Sequence, residues 1–175
     1  AIPNESVGVW ITGGAQSNLI GTNGDGFADE AERNIISGNV SAGVRINGSA
    51  SANNVIAGNF IGTDATETVA MPNGTFGVLL QGSHSNLIGT DGDGVADEAE
   101  RNIISGNARR GVTISGAGTD NNVIAGNYIG ADVTGTFAIG NSEEGILIGN
   151  VTESNIIGTD GDGVADAAEG NLIFG

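Results

Sequence analysis

Three segments of this chain gather carboxylates at one repeated spacing: TNGDGFADEAERN from Thr22, TDGDGVADEAERN from Thr90 and TDGDGVADAAEGN from Thr159. They hold four, five and four of the chain's 21 Asp and Glu residues, so its acidity is concentrated. Counting from the residue after Thr, oxygen-bearing side chains recur at positions 1, 3, 7 and 10, with Gly at 2 and 4 where the backbone must curl. The first set is Asn23, Asp25, Asp29 and Glu32. The second is Asp91, Asp93, Asp97 and Glu100, and the third is Asp160, Asp162, Asp166 and Glu169. A backbone carbonyl at position 5, from Phe27, Val95 or Val164, would add one more oxygen. Hard oxygen donors in this number suit Ca2+, which accepts six to eight oxygens in flexible geometry, and are wrong for zinc. The bland alternative is a set of solvated acidic loops closed by Asx turns. Three recurrences of one spacing favour calcium, with the Asn23 loop the weakest of the three.

DGDGVADEAE resembles the calcium repeats of thrombospondin type 3 and, more distantly, EF-hand and dockerin loops. It departs from the EF-hand pattern by lacking the acid at the fifth position and by placing Glu at 10 instead of 12. The resemblance implies the same ion, Ca2+, held by the residues named above.

The rest of the chain must position these loops, and it does so by repetition. Gly-hydrophobic-X-hydrophobic recurs as GVWI, GVRI, GVLL, GVTI and GILI from Gly8, Gly43, Gly77, Gly111 and Gly145, spaced by 35, 34, 34 and 34 residues. A second short run follows each (SNLIG at Ser17, NNVIAG at Asn53, SNLIG at Ser85, NNVIAG at Asn121, SNIIG at Ser154). A third then follows at Asn34, Asn59, Asn102, Asn127 and Asn171. Runs this short, rich in β-branched residues and bounded by Gly, Asn or Ser, are strands. Three strands per repeat predict an all-β, right-handed parallel β-helix of about five three-stranded coils, one solenoid over residues 1–175, with coils stacked roughly 4.8 Å apart.

Alternation along each strand predicts which side chains turn inward. Ile20, Ile56, Ile88, Ile124 and Ile157 should form one ladder, and Ile36, Ile61, Ile104, Ile129 and Ile173 a second. The third wall should combine Val9, Val44, Val78, Val112 and Ile146 with Ile11, Ile46, Leu80, Ile114 and Ile148. Trp10, Arg45, Leu79, Thr113 and Leu147 should face outward. Asn18, Asn54, Asn86, Asn122 and Asn155 share one phase and Asn34, Asn59, Asn102, Asn127 and Asn171 another, which predicts stacked amides at the corners.

The loops double the period. Odd coils carry theirs between strands two and three, and even coils after strand three, from Gly62 and Gly130, so the unit is a coil pair of 68 or 69 residues. The chain opens and closes within a unit, and neither end reads as a polar cap. A longer array, or self-association along the solenoid axis into a filament, is therefore expected.

A net charge of -16 excludes nucleic acid and anionic lipid as partners, and no apolar run is long enough for membrane insertion. The whole chain, with its GNxI and NxISGN strands, resembles the right-handed parallel β-helix proteins, a family that includes bacterial surface proteins, adhesins, pectate lyases and polygalacturonases. That resemblance implies an extracellular or cell-surface protein, with carbohydrate as a further partner class. A calcium-stabilised structural protein is the expected function, no enzyme and no catalytic residue being expected; a polysaccharide-binding or polysaccharide-degrading protein is the alternative. The departures from symmetry are His84, the Arg109–Arg110 pair and the Glu143–Glu144 pair one coil later, which predict a salt-bridged corner. Asn4, Asn39, Asn47, Asn73 and Asn150 stand in N-x-S/T sequons.

Overall fold

In the computed structural model, which describes residues 3–66 and 68–175, fifteen short strands wind into an all-β parallel solenoid. Sheet A stacks β1 (Val9–Ile11), β4 (Val44–Asn47), β7 (Val78–Gln81), β10 (Val112–Ser115) and β13 (Ile146–Gly149). Sheet B stacks β2 (Leu19–Gly21), β5 (Val55–Ala57), β8 (Leu87–Gly89), β11 (Val123–Ala125) and β14 (Ile156–Ile157). Sheet C stacks β3 (Ile35–Ile36), β6 (Phe60–Ile61), β9 (Ile103–Ile104), β12 (Tyr128–Ile129) and β15 (Leu172–Ile173). Every pairing is parallel, and the registers run Val9, Val44, Val78, Val112, Ile146 and Ile20, Ile56, Ile88, Ile124, Ile157. The chain makes about four turns where the repeat count gives five coils, because a turn closes only when a strand returns above its predecessor and β1 to β13 comprises four such returns.

The inward columns lie where alternation puts them. Val44, Ile46, Ile56, Ile61, Val78, Leu80, Ile88, Ile104, Val112, Ile114, Ile124 and Ile129 are fully buried. The last rung differs: Ile148, Ile157 and Ile173 are exposed, since each lacks a following coil to cover it. Of the outward column, Trp10 is exposed, Arg45, Leu79 and Leu147 are half-buried, and Thr113 keeps the outward register yet is buried. Thr113 is a short side chain set between Leu79 and Leu147, which shield it.

Three amide ladders hold the corners in register. Asn18, Asn54, Asn86, Asn122 and Asn155 form one: each Nδ2 donates to Oδ1 of the Asn one coil on, at 2.7 to 3.0 Å. Asn34, Asn59, Asn102, Asn127 and Asn171 form the second, at 2.9 to 3.1 Å. Asn4, Asn39, Asn73, Asn107 and Asn141 form a third that was not anticipated. Backbone N–H groups donate to the same oxygens, as Asn54 N does to Asn86 Oδ1 at 3.1 Å. All three ladders therefore run in one direction, giving the rod a polarity. The third ladder also removes two sequons from the surface, because Asn39 and Asn73 are buried within it.

The corner pairs behave as expected. Arg109 Nε lies 2.9 Å from Glu143 Oε1, and Arg110 bridges Glu143 and Glu144. These ions are partly exposed and add little stability.

The ladder makes interior amides worth more than terminal ones. Asn59 is fully buried and its Nδ2 donates to Ile20 O at 2.8 Å and to Asn102 Oδ1 at 3.1 Å, whereas Asn18 is exposed at an end. Asn59→Ala is expected to cost about 2–4 kcal/mol by stranding buried groups, and Asn18→Ala about 1 kcal/mol or less. Urea melts of the two variants check this; equal costs would contradict the ladder reading.

Candidate metal centre

Each acidic loop is closed by the same set of bonds, and their source is local. Thr22, Thr90 and Thr159 donate their hydroxyls to Asp29, Asp97 and Asp166 at 2.7, 2.9 and 3.1 Å. Position 10 reaches back to position 1: Asn23, Asp91 and Asp160 N–H donate to Glu32, Glu100 and Glu169 Oε2 at 3.0 to 3.1 Å. Asp25, Asp93 and Asp162 each accept the N–H of the position-5 residue, Phe27, Val95 or Val164, at 2.7 to 2.8 Å. A short helical turn ends two of them, a 3-10 turn at Asp29–Ala31 and a single α turn at Asp97–Glu100. The last carbonyl of the second turn, Glu100 O, accepts from Gly58 N–H of the preceding coil.

The expected ligands converge only in part. In the second loop, carboxylate oxygens of Asp91, Asp93 and Asp97 lie within 4.8 Å of one another; in the third, those of Asp160, Asp166 and Glu169 do. Glu100 stands outside its group and Asp162 outside the other. The first loop forms no such group among the described residues, which fits Asn23 replacing an acid. Phe27 is highly exposed, and Val95 and Val164 are also exposed, with their side chains outside the cluster.

No cationic side chain compensates these carboxylates among the described residues. Arg33 and Arg101, which follow the first two loops, are turned elsewhere: each Nε donates to a corner carbonyl, Gly58 O at 2.9 Å and Gly126 O at 3.0 Å. Their guanidinium groups lie 4.3 Å from the Phe60 ring and 4.2 Å from the Tyr128 ring. Glu100 and Glu169 are buried, whereas Glu32 is exposed. Burial foremost, joined by the charges of Asp91 and Asp97, raises the Glu100 carboxyl above its ordinary value, against opposing hydrogen bonds from Thr90 and the Asp91 N–H. An all-oxygen donor set with unbalanced negative charge fits a hard divalent cation.

The burial of Glu100 has a specific cause that the sequence did not disclose. Its Oε1 packs so closely on Gly24 of the first loop that any β-carbon there would overlap it, and Glu169 stands likewise against Gly92. Loops two coils apart are thus in contact. Between them they grip the corner of the even coil: Gly58 N–H donates to Glu100 O at 2.6 Å while Gly58 O accepts from Arg33. Gly126 is gripped in the same way, by Glu169 O at 2.7 Å and by Arg101. The even-coil loops reciprocate, with Met71 O and Ile139 O accepting from Gly38 and Gly106 N–H of the preceding odd coils at 3.1 and 2.8 Å. The signal was present in the AGN and SGN corners, each of which marks a coil without an insertion at that corner.

No family model, curated protein or solved structure matches the chain.

Because the folded state holds the Glu100 carboxyl above its unfolded value, its contribution to stability is present at acid pH and is lost as pH rises through the folded value. In chelator, therefore, Glu100→Gln is expected to flatten the fall in melting temperature above the ordinary carboxylate range and to be more stable than the parent at neutral pH. Melting temperatures of both proteins from pH 4 to 7 check this; identical pH slopes would contradict it.

Proposed function

We propose that this chain is a segment of a cation-stabilised structural solenoid, an extracellular or cell-surface rod that lengthens by stacking coil on coil. The observation that carries this reading is the grip of successive acidic loops on one corner peptide, which ties each loop to the mechanical integrity of three coils. Within the second and third loops carboxylate oxygens converge, and Ca2+ is the ion whose coordination habits suit them. Asp91, Asp93 and Asp97 hold it in the second loop, and Asp160, Asp166 and Glu169 in the third. A bound Ca2+ would offset the repulsion among the carboxylates that converge within each of these loops. The remaining residues named from the sequence, Asn23, Asp25, Asp29 and Glu32, Phe27, Val95 and Val164, and Asp162 with Glu100, shape the loops or complete the shell with oxygens.

A net charge of -16 keeps such rods apart laterally, while the one-way amide ladders favour growth along the axis. Among the described residues no helix is long and apolar enough to cross a membrane.

Cation binding to the folded loops alone stabilises by mass action, about 2.7 kcal/mol per site at a hundredfold excess over Kd. For a domain of this size that corresponds to a rise of roughly 5–10 °C in melting temperature per occupied site. Stripping with a chelator is expected to lower the melting temperature by at least that much, with calcium but not sodium restoring it. An unchanged transition in chelator, together with no divalent metal by elemental analysis, would contradict the proposal.

A further inference from the structure

The rod has two faces whose amide ladders match and whose insertions do not. At the first coil, Asn4, Gly8, Ile20, Gly21, Glu32, Asn34, Ile36 and neighbouring residues line an open cavity of about 620 Å3. At the last, Ile148, Ile157 and Ile173 are exposed. Ladder polarity alone would let the last coil of one copy dock under the first coil of another, because Asn155 and Asn171 occupy the places of the donating amides. The insertions forbid it. The first and last coils are both odd, so direct docking would place the loop from Asn23 on a coil that bears the loop from Asp160.

Loops of this kind already touch when two coils apart, at Gly24 with Glu100 and at Gly92 with Glu169. On adjacent coils their separation would fall from roughly 9.6 to roughly 4.8 Å, with like charges facing. Each loop instead spans the level of an even coil and accepts a corner Gly N–H there. In the first loop that acceptor, Glu32 O, receives no backbone N–H among the described residues, and it borders the open cavity.

We propose that the cavity under the first coil is the docking site for an even-type coil, one with an Ala-Gly-Asn corner and no insertion between strands two and three. This rests on the axial-stacking reading above and holds whichever chain supplies the coil. The corner Gly N–H of the incoming coil donates to Glu32 O, as Gly58 does to Glu100 O. Its two corner amides extend the ladders of Asn18 and Asn34. The corner must be Gly, since a β-carbon at Gly58 would lie 2.7 Å from Ala99 O and one at Gly126 would lie 2.8 Å from Ala168 O. The ladders fix the polarity of assembly and the insertions fix its phase: odd on even, never odd on odd.

The test compares the 175-residue chain with one extended after Gly175 by a copy of residues 39–69, an even coil ending where the alignment of Ala1 with Ala70 lets a second molecule continue. In calcium, the extended chain is expected to form open filaments with a mean mass about tenfold or more that of the unextended chain, which stays single, as unclosed head-to-tail contacts propagate. Gly58→Val in the appended copy alone should abolish growth, and added 175-residue chain should shorten the filaments, because it docks by its first coil and offers only an odd face beyond. Should the appended coil fray, replacing residues 158–170 by Ala-Gly converts the last coil itself to even type and gives the same readout. Filaments of the unextended chain would overturn the phase rule while sparing axial stacking. A cooperatively melting extended chain that stays monomeric would overturn the docking site, with the chelation melt reporting separately on the cation.

Discussion

The rise between coils, roughly 4.8 Å, is the constraint on which the rest of this structure depends. A parallel solenoid hydrogen-bonds along its axis, so nothing attached to a coil may be thicker than that rise unless its neighbour yields the space. Loops of a dozen residues are thicker. The chain accommodates them by alternation, placing insertions at one corner of odd coils and another corner of even coils, so that each loop has two coil heights to occupy. Every loop after the first then fills its second level by accepting a hydrogen bond from the corner Gly of the coil beneath, at Gly38, Gly58, Gly106 and Gly126. The insertions thereby become inter-coil clamps.

That arrangement has an electrostatic consequence. Stacking in phase brings each acidic loop against the next, buries Glu100 and Glu169, and leaves their charges without a basic partner, while the Arg residues that could have served are committed to Gly58 and Gly126 carbonyls and to aromatic rings. The even-coil loops solve the same closure without crowding. Asp64 and Asp132 fold hairpin-like turns, and there the hydrogen bonds from Thr66 to Asp64 and from Phe137 N–H to Asp132 hold the carboxyls below their ordinary values. Glu100 accepts local donors as well, yet burial and the charges of Asp91 and Asp97 raise it. That contrast is why the proposed cation is placed at the odd coils.

Much of the fold was legible because it is periodic. The spacing of Gly8, Gly43, Gly77, Gly111 and Gly145 sets the coil, and alternation about Ile56 or Ile88 sets the inside. Two amide ladders could be read from Asn at constant phase. The third, through Asn4, Asn39, Asn73, Asn107 and Asn141, was hidden because its members sit in corners whose flanking residues differ between odd and even coils. The candidate site was legible as composition and spacing, and only in part as geometry. Spacing shows which carboxylates share a loop; it does not show that Glu100 turns towards Gly24 of another loop, a contact made across 76 residues by coil stacking alone.

If relief of crowded charge is what the loops require, cation binding must be saturable and confined to the two loops whose carboxylates converge. Calorimetric titration of calcium into the chelator-stripped 175-residue protein measures this directly. Two strong sites per chain are expected, lost singly by Asp93→Asn in the second loop and by Asp166→Asn in the third. Heats that never saturate, or a stoichiometry unmoved by either substitution, would contradict the assignment.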